Sequence, residues 1–214
     1  MKKSILIIGA GTGLSTGIAE KFGAEGFVIS LISRNAANLE NIKNELSAKG
    51  IEVNYAVADA GNAEQLTAAI NGLTVQSEGF DAVLYNAAVL KAKDIMEESS
   101  AILVEDFTIN VANAFHSLKV TYAALRKKKG AFLLTGGGLG VSPSADYGSL
   151  SIGKAGVRSL AFQLNERLGD EGIYVGLLTV AGFINPQSET HSPAVLAKLF
   201  WKLYTERSTV EIHQ

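Results

Sequence analysis

The sequence predicts one doubly wound α/β domain over residues 1–214, with a mostly parallel seven-stranded sheet and helices on both faces. Three observations predict it. Short β-branched runs alternate with amphipathic stretches, the pattern of βαβ units around a parallel sheet. A glycine-rich turn, Gly9 to Gly17, sits between the first run and the first amphipathic stretch. No repeat, linker or low-complexity tract interrupts the series, and the chain is long enough to bury one core around one sheet.

Strands are expected at Ile5–Ile8, Phe27–Ile32, Glu52–Val57, Ala82–Tyr85, Ala131–Leu134, Tyr174–Thr179 and Val210–His213. Between the first two, Leu14, Ile18 and Phe22 recur every four residues and form one apolar helical stripe, which Gly26 ends. The second helix carries Leu39, Ile42 and Leu46 on one face and stops at Gly50, a glycine just past the last turn. Asn62 and Gln65 resemble a capping pair for a third helix near Ala63–Leu73. Longer helices follow near Glu105–Arg126 and Ser149–Leu168, and a shorter one near Ala194–Thr205.

Composition narrows the function. Hydrophobic residues make up 47% and charged residues 19%, with a formal net charge of -2, so neither disorder nor a nucleic-acid surface is expected. The absence of cysteine excludes disulfides, thiolate metal sites and a cysteine nucleophile, and suits a reducing cytoplasm. The apolar run Ile5–Ile8 stops at Gly9, too short for a signal peptide, and the later stretch Tyr174–Ile184 falls short of the roughly 20 residues a membrane helix needs. A soluble, cytoplasmic protein with no membrane partner is expected.

The glycine turn is the first functional signal. In Gly9-Ala10-Gly11-Thr12-Gly13-Leu14-Ser15-Thr16-Gly17, glycines allow close approach of a pyrophosphate to backbone N–H groups, and the helix that follows adds donors and a favourable dipole. After the first strand of a βαβ unit this is the dinucleotide site of a Rossmann fold. Gly9, Gly11, Thr12, Gly13 and Leu14 are its expected binding residues. NAD sites usually carry a carboxylate after the second strand, but here the stretch reads Leu31-Ile32-Ser33-Arg34-Asn35. A guanidinium and a hydroxyl suit a 2′-phosphate dianion, so Ser33 and Arg34 favour NADP over NAD.

With these residues in view the chain resembles the short-chain dehydrogenase/reductase family along its whole length. Asp59, with Ala60 beside it, follows the third strand where family members hold adenine, and Asn86-Ala87-Ala88 follows the fourth like the family's Asn-Asn-Ala-Gly signature. Asn110-Val111, Lys154-Ala155 and Gly182-Phe183-Ile184 match the helix-four asparagine, the end of the Tyr-x-x-x-Lys motif and the Pro-Gly turn beside the nicotinamide. The resemblance implies an NADP(H)-dependent oxidoreductase of a small carbonyl or alcohol, assembled as a homodimer or homotetramer through the fourth and fifth helices. In the fifth, Gly153 and Gly156 are expected to allow close approach to a second copy, with Val157 and Leu160 adding apolar area.

The catalytic pattern is incomplete. In the family a tyrosine transfers the proton, and a lysine one turn on stabilises its phenolate, since an unperturbed phenol has a pKa of about 10. A serine polarises the carbonyl, and the asparagine anchors a water. Asn110 and Lys154 are kept, but four residues before Lys154 stands Leu150, and the serine position falls in Gly136–Gly138, at Gly137. Ser15 stands where the last glycine of the turn is expected. Tyr147 is the candidate displaced acid: it lies seven residues before Lys154, nearly on one helical face but about 10 Å along the axis. It reaches the site only if Ser142–Asp146 folds inward, and the plainer reading is a tyrosine packed at a helix start. Ser149 and Ser151 are turned off that face at about 100° per residue and read as cap or surface hydroxyls. Backbone N–H groups of Gly136–Gly138 can replace the serine as donors or simply allow close packing. His116, His191 and His213 show no metal-ligand spacing, and no metal site is expected; His191 reads as an exposed loop residue. The alternative to an enzyme is a non-catalytic NADP(H)-binding regulatory or sensor protein.

Overall fold

The structure, a computed structural model, describes residues 2–214. In chain order its elements are β1 (Ser4–Ile8), α1 (Leu14–Ala24), β2 (Val28–Ser33), α2 (Ala36–Ala48), β3 (Val53–Val57), α3 (Ala63–Gln76), β4 (Ala82–Tyr85), α4 (Ser100–Phe107), α5 (Asn113–Lys128), β5 (Ala131–Thr135), α6 (Gly148–Leu168), β6 (Tyr174–Thr179), α7 (Pro193–Glu206) and β7 (Glu211–His213). The sheet runs β3-β2-β1-β4-β5-β6-β7. Every pairing in it is parallel, so the expected mostly parallel sheet is wholly so.

Both faces of the sheet are covered, which is why its strands read as continuous apolar runs. Ile5, Ile7, Ile29 and Leu31 point into one core with residues of α1, α2 and α7. Leu6, Ile8, Val83 and Leu134 point into the other with residues of α3, α5 and α6. Chain order reverses between β1 and β4, and that switch opens a crevice beyond the carboxyl ends of the strands. Edge-to-face contacts of Phe22 and Phe27 with Trp201 and Tyr204 hold α7 on α1. Gly17 lets Pro193 approach so closely that a Cβ there would lie 2.9 Å from Pro193 Cβ.

The fourth helix departs from expectation. It begins at Ser100, with Ser99 Oγ accepting from Ile102 N at 3.3 Å, and winds as a π-helical turn over Thr108–Ala112 before α5. The expected start was near Glu105. The π-turn widens the helix and changes how its carbonyls are used: Ile109 O accepts from the buried Tyr85 hydroxyl at 2.5 Å.

Candidate active site

The turn after β1 is shaped by close approach. Gly9 has φ +85°, and a Cβ there would lie 2.4 Å from Ala87 N, so both conformation and space require glycine. Gly9 N and Ala10 N donate to Ile32 O, each at 2.9 Å, which ties the turn to the end of β2. Gly11 and Gly13 face the crevice, and a Cβ on either would meet nothing within 4 Å. Leu14 is buried in the core, so it offers a ligand its backbone only. Ser15, in the place of the expected last glycine, is buried and donates to Gly9 O at 3.0 Å, and Thr16 donates to Gly11 O at 2.9 Å. Both hydroxyls brace the turn from beneath.

Asn86 joins the turn to the neighbouring strands. Its Nδ2 donates to Ser15 Oγ at 2.9 Å and Gly9 O at 3.2 Å, while its Oδ1 accepts from Thr135 Oγ1 at 2.8 Å. Thr135 O in turn accepts from Lys154 Nζ at 2.9 Å. A continuous chain of hydrogen bonds thus runs from the glycine turn through Asn86 and Thr135 to Lys154. Sequence reading found Asn86 and Lys154 but neither Ser15 nor Thr135 as links.

At the adenine end, Ser33 is half-buried and Arg34 exposed where β2 stops, followed by Asn35, whose side chain accepts from Asn38 N to cap α2. Asp59 Oδ1 accepts from Gly61 N at 2.9 Å in a tight turn, and Asn113 Nδ2 donates to Ala60 O at 2.6 Å. Ala87 packs on Gly9, and Ala88 is half-buried beside it. Beyond β6, Gly182 and Ile184 are exposed.

Lys154 is half-buried on α6, and burial pulls its pKa from the ordinary 10.5 down to about 8. Its stem lies against Gly137, where a Cβ would stand 3.3 Å from Lys154 Cε. Leu150, one turn earlier, is buried. Asn110 sits on the π-turn, its Oδ1 accepting from Val89 N at 2.7 Å, so it holds the loop after β4. Its buried Nδ2 has no partner and fills the space where Gly153 would carry a Cβ, 2.5 Å away.

Several expectations are corrected here. Ser149 and Ser151 are buried rather than surface or cap groups: Ser149 Oγ donates to Asp106 Oδ2 at 2.6 Å, and Ser151 Oγ accepts from Ser144 N at 3.2 Å. Rotations of about 100° to either side of Leu150 turn Ser149 toward α4 and Ser151 back onto the segment before α6. Gly153, Gly156 and Val157 face the protomer's own α4–α5 segment and not a second copy, since a Cβ at Gly156 would lie 2.8 Å from Val111 Cγ2 and Val157 is buried. His191 is half-buried with Nε2 unpartnered; a Cβ at Gly182 would lie 3.0 Å from that nitrogen. The segment before α6 does not fold inward, for Ser142, Pro143, Ala145 and Asp146 are exposed. Tyr147 is half-buried at the start of α6, its backbone bridged to Lys93. Of the other histidines, His116 lies 2.8 Å from Thr67 Oγ1 between α5 and α3, and His213 lies 3.3 Å from Glu211 Oε2.

The order of these features along one parallel sheet agrees with sequence comparison. The short chain dehydrogenase family matches residues 3–192. The chain belongs to that family. Among its relatives, a 3-dehydrosphinganine reductase of Arabidopsis thaliana is 24% identical over 181 residues, covering 82% of this chain and 54% of that protein, so the chain spans about half of that relative's length. An uncharacterized oxidoreductase of Mycobacterium tuberculosis is 28% identical over 201 residues, covering 91% of this chain and 78% of that one. The crystal structure of a metagenomic short-chain oxidoreductase in complex with NADP superposes with a TM-score of 0.88 at 21% identity, covering 99% of this chain and 96% of the other.

Proposed function

We propose that this short-chain dehydrogenase binds NADP(H) across the switch between β1 and β4 and transfers hydride to or from a carbonyl or alcohol carbon with an incomplete catalytic set. The observation that carries the reading is the glycine turn, whose Gly11 and Gly13 leave open space in front of a helix N-terminus, the arrangement a pyrophosphate needs. The residues fit the rest of the cofactor: Ser33 and Arg34 for a 2′-phosphate, Asp59 and Ala60 for adenine, Asn86, Ala87 and Ala88 along the crevice floor, Lys154 for the nicotinamide ribose, and Gly182 and Ile184 beside the ring. A bound nicotinamide would supply the hydride for a carbonyl and accept it from an alcohol.

The chain's own residues hold and orient. Lys154 keeps its ammonium on the Thr135 carbonyl, in reach of the hydrogen-bond chain that ends at the glycine turn. Asn110 fixes the loop after β4, and because the segment before α6 does not fold inward to carry Tyr147 to the site, the proton comes from water. Protomers pair as a homodimer or homotetramer through α4 to α6, where Phe107, Phe115, Ile152 and Phe162 are exposed. Among the described residues no helix is long and apolar enough to cross a membrane.

Loss of the guanidinium tests the cofactor assignment. Arg34→Ala should weaken NADPH binding by about 1.5–3 kcal/mol, the worth of a charged hydrogen bond, while NADH binding stays unchanged. Fluorescence titration of both cofactors reads this directly, and an equal loss for the two would remove Arg34 from the 2′-phosphate.

A further inference from the structure

Lys154 lacks the company a lysine ammonium usually keeps. Its Nζ donates to Thr135 O at 2.9 Å, and among the described residues no carboxylate pairs with it. Burial is the sole cause of its lowered pKa. The groups packed against it are uncharged. Gly137 and Gly140, in the loop after β5, lie so close that a Cβ on the first would stand 3.3 Å from Lys154 Cε and on the second 2.7 Å from Lys154 O. Leu150, one turn earlier on α6, is buried and offers no proton.

A free donor lies beside this amine. Gly136 N donates to Leu178 O at 2.8 Å and Gly138 N to Val180 O at 3.0 Å, both toward the end of β6. Gly137 N, between them, donates to none of the described residues. Its backbone is extended, with φ −170° and ψ 151°, so successive N–H groups face opposite edges and this one faces away from β6. With no side chain at Gly137, the Lys154 stem is left uncovered on that side, and the residue as a whole is only half-buried.

We propose that Lys154 captures an unhindered aldehyde covalently as an imine, with the Gly137 N–H holding the carbonyl oxygen during attack. The unprotonated amine attacks the carbonyl carbon, a C–N bond forms, and the C=O π pair moves to oxygen, which takes one proton from nitrogen. That hydroxyl then leaves with the second N–H proton as water, and C=N forms. One amine and one aldehyde give one imine and one water, and no oxidant or reductant is consumed. At pH 8 about half of the Lys154 amine is free, against roughly one part in 300 for a lysine of pKa 10.5. This activity goes beyond hydride transfer and rests on the surroundings of Lys154 alone. Because the same nitrogen is assigned to the nicotinamide ribose, aldehyde and cofactor exclude each other there.

Reductive trapping tests the capture without requiring turnover. The protein is incubated with propanal and cyanoborohydride at pH 8, with and without saturating NADP, and propylated lysines are located by peptide mass spectrometry. Lys154 is expected to label at least about tenfold faster than Lys127, an exposed lysine of α5 outside the crevice. NADP should slow labelling at Lys154 and leave Lys127 unchanged. Labelling of Lys154 no faster than that of Lys127 overturns the proposal, and if the protein still binds NADPH the cofactor reading survives it. Fast labelling of Lys154 that NADP does not slow supports the capture and instead removes the ribose from Lys154.

Discussion

The double variant Gly137→Ser with Leu150→Tyr is expected to reduce model aldehydes and ketones with NADPH faster than the natural protein by about 10²–10⁴, the range general acid–base help supplies; the restored carbonyl donor is itself worth about 10²–10³. The geometry admits the serine. Gly137 has φ −170°, an extended backbone that any residue adopts, and a Cβ there meets only the flexible Lys154 stem at 3.3–3.4 Å. A phenol at position 150 stands one helical turn before Lys154, where a neighbouring ammonium lowers its pKa. Each single variant should gain less, and adding Lys154→Met should remove the gain. Spectrophotometric NADPH oxidation reads all five proteins. A folded, cofactor-binding double variant without gain would favour the non-catalytic NADP(H)-binding reading. High activity in the natural protein that disappears in Tyr147→Phe would make Tyr147 the displaced acid.

Lys154→Met should stabilise the fold at neutral pH. Burial lowers the Lys154 pKa from 10.5 to about 8, so the unfolded chain holds a proton between those values that the folded one has released. The resulting penalty on the folded state is present in full below pH 8, shrinks as pH rises, and is gone above about 10.5. Discounted for partial exposure and for loss of the hydrogen bond to Thr135 O, the gain at pH 7 is about 2 kcal/mol. In thermal melts the advantage of the variant should shrink as pH rises from 8 toward 10.5. A variant that melts lower than the parent at pH 7 would mean that the ammonium is held by interactions stronger than its desolvation. A lysine that destabilises its own fold is the kind of residue kept for binding or chemistry.

The fold was legible because each strand carries its own apolar run and each helix its own stripe. All seven strands lie where the runs predicted them, with ends displaced by a residue at most, as at Val28–Ser33. The glycine turn was legible because Gly9, by its left-handed φ and the approach of Ala87, leaves the sequence no other choice. What stayed hidden depends on partners far along the chain. Ser149 looks like a surface serine until Asp106, 43 residues earlier, is brought beneath it. Gly153 looks like a contact for a second copy until the π-turn sets Asn110 against it, and no apolar period announces a π-turn. The half-buried His191 was equally invisible, since its burial comes from the return of the chain onto Gly182.

The most direct test of the dinucleotide assignment is a crystal of the protein soaked with NADPH. The account predicts pyrophosphate on the backbone N–H groups of Gly11 to Leu14, the 2′-phosphate on Arg34 and Ser33, and the nicotinamide ribose on Lys154. Density for the cofactor away from the glycine turn, or a 2′-phosphate facing solvent with Arg34 turned away, would contradict it.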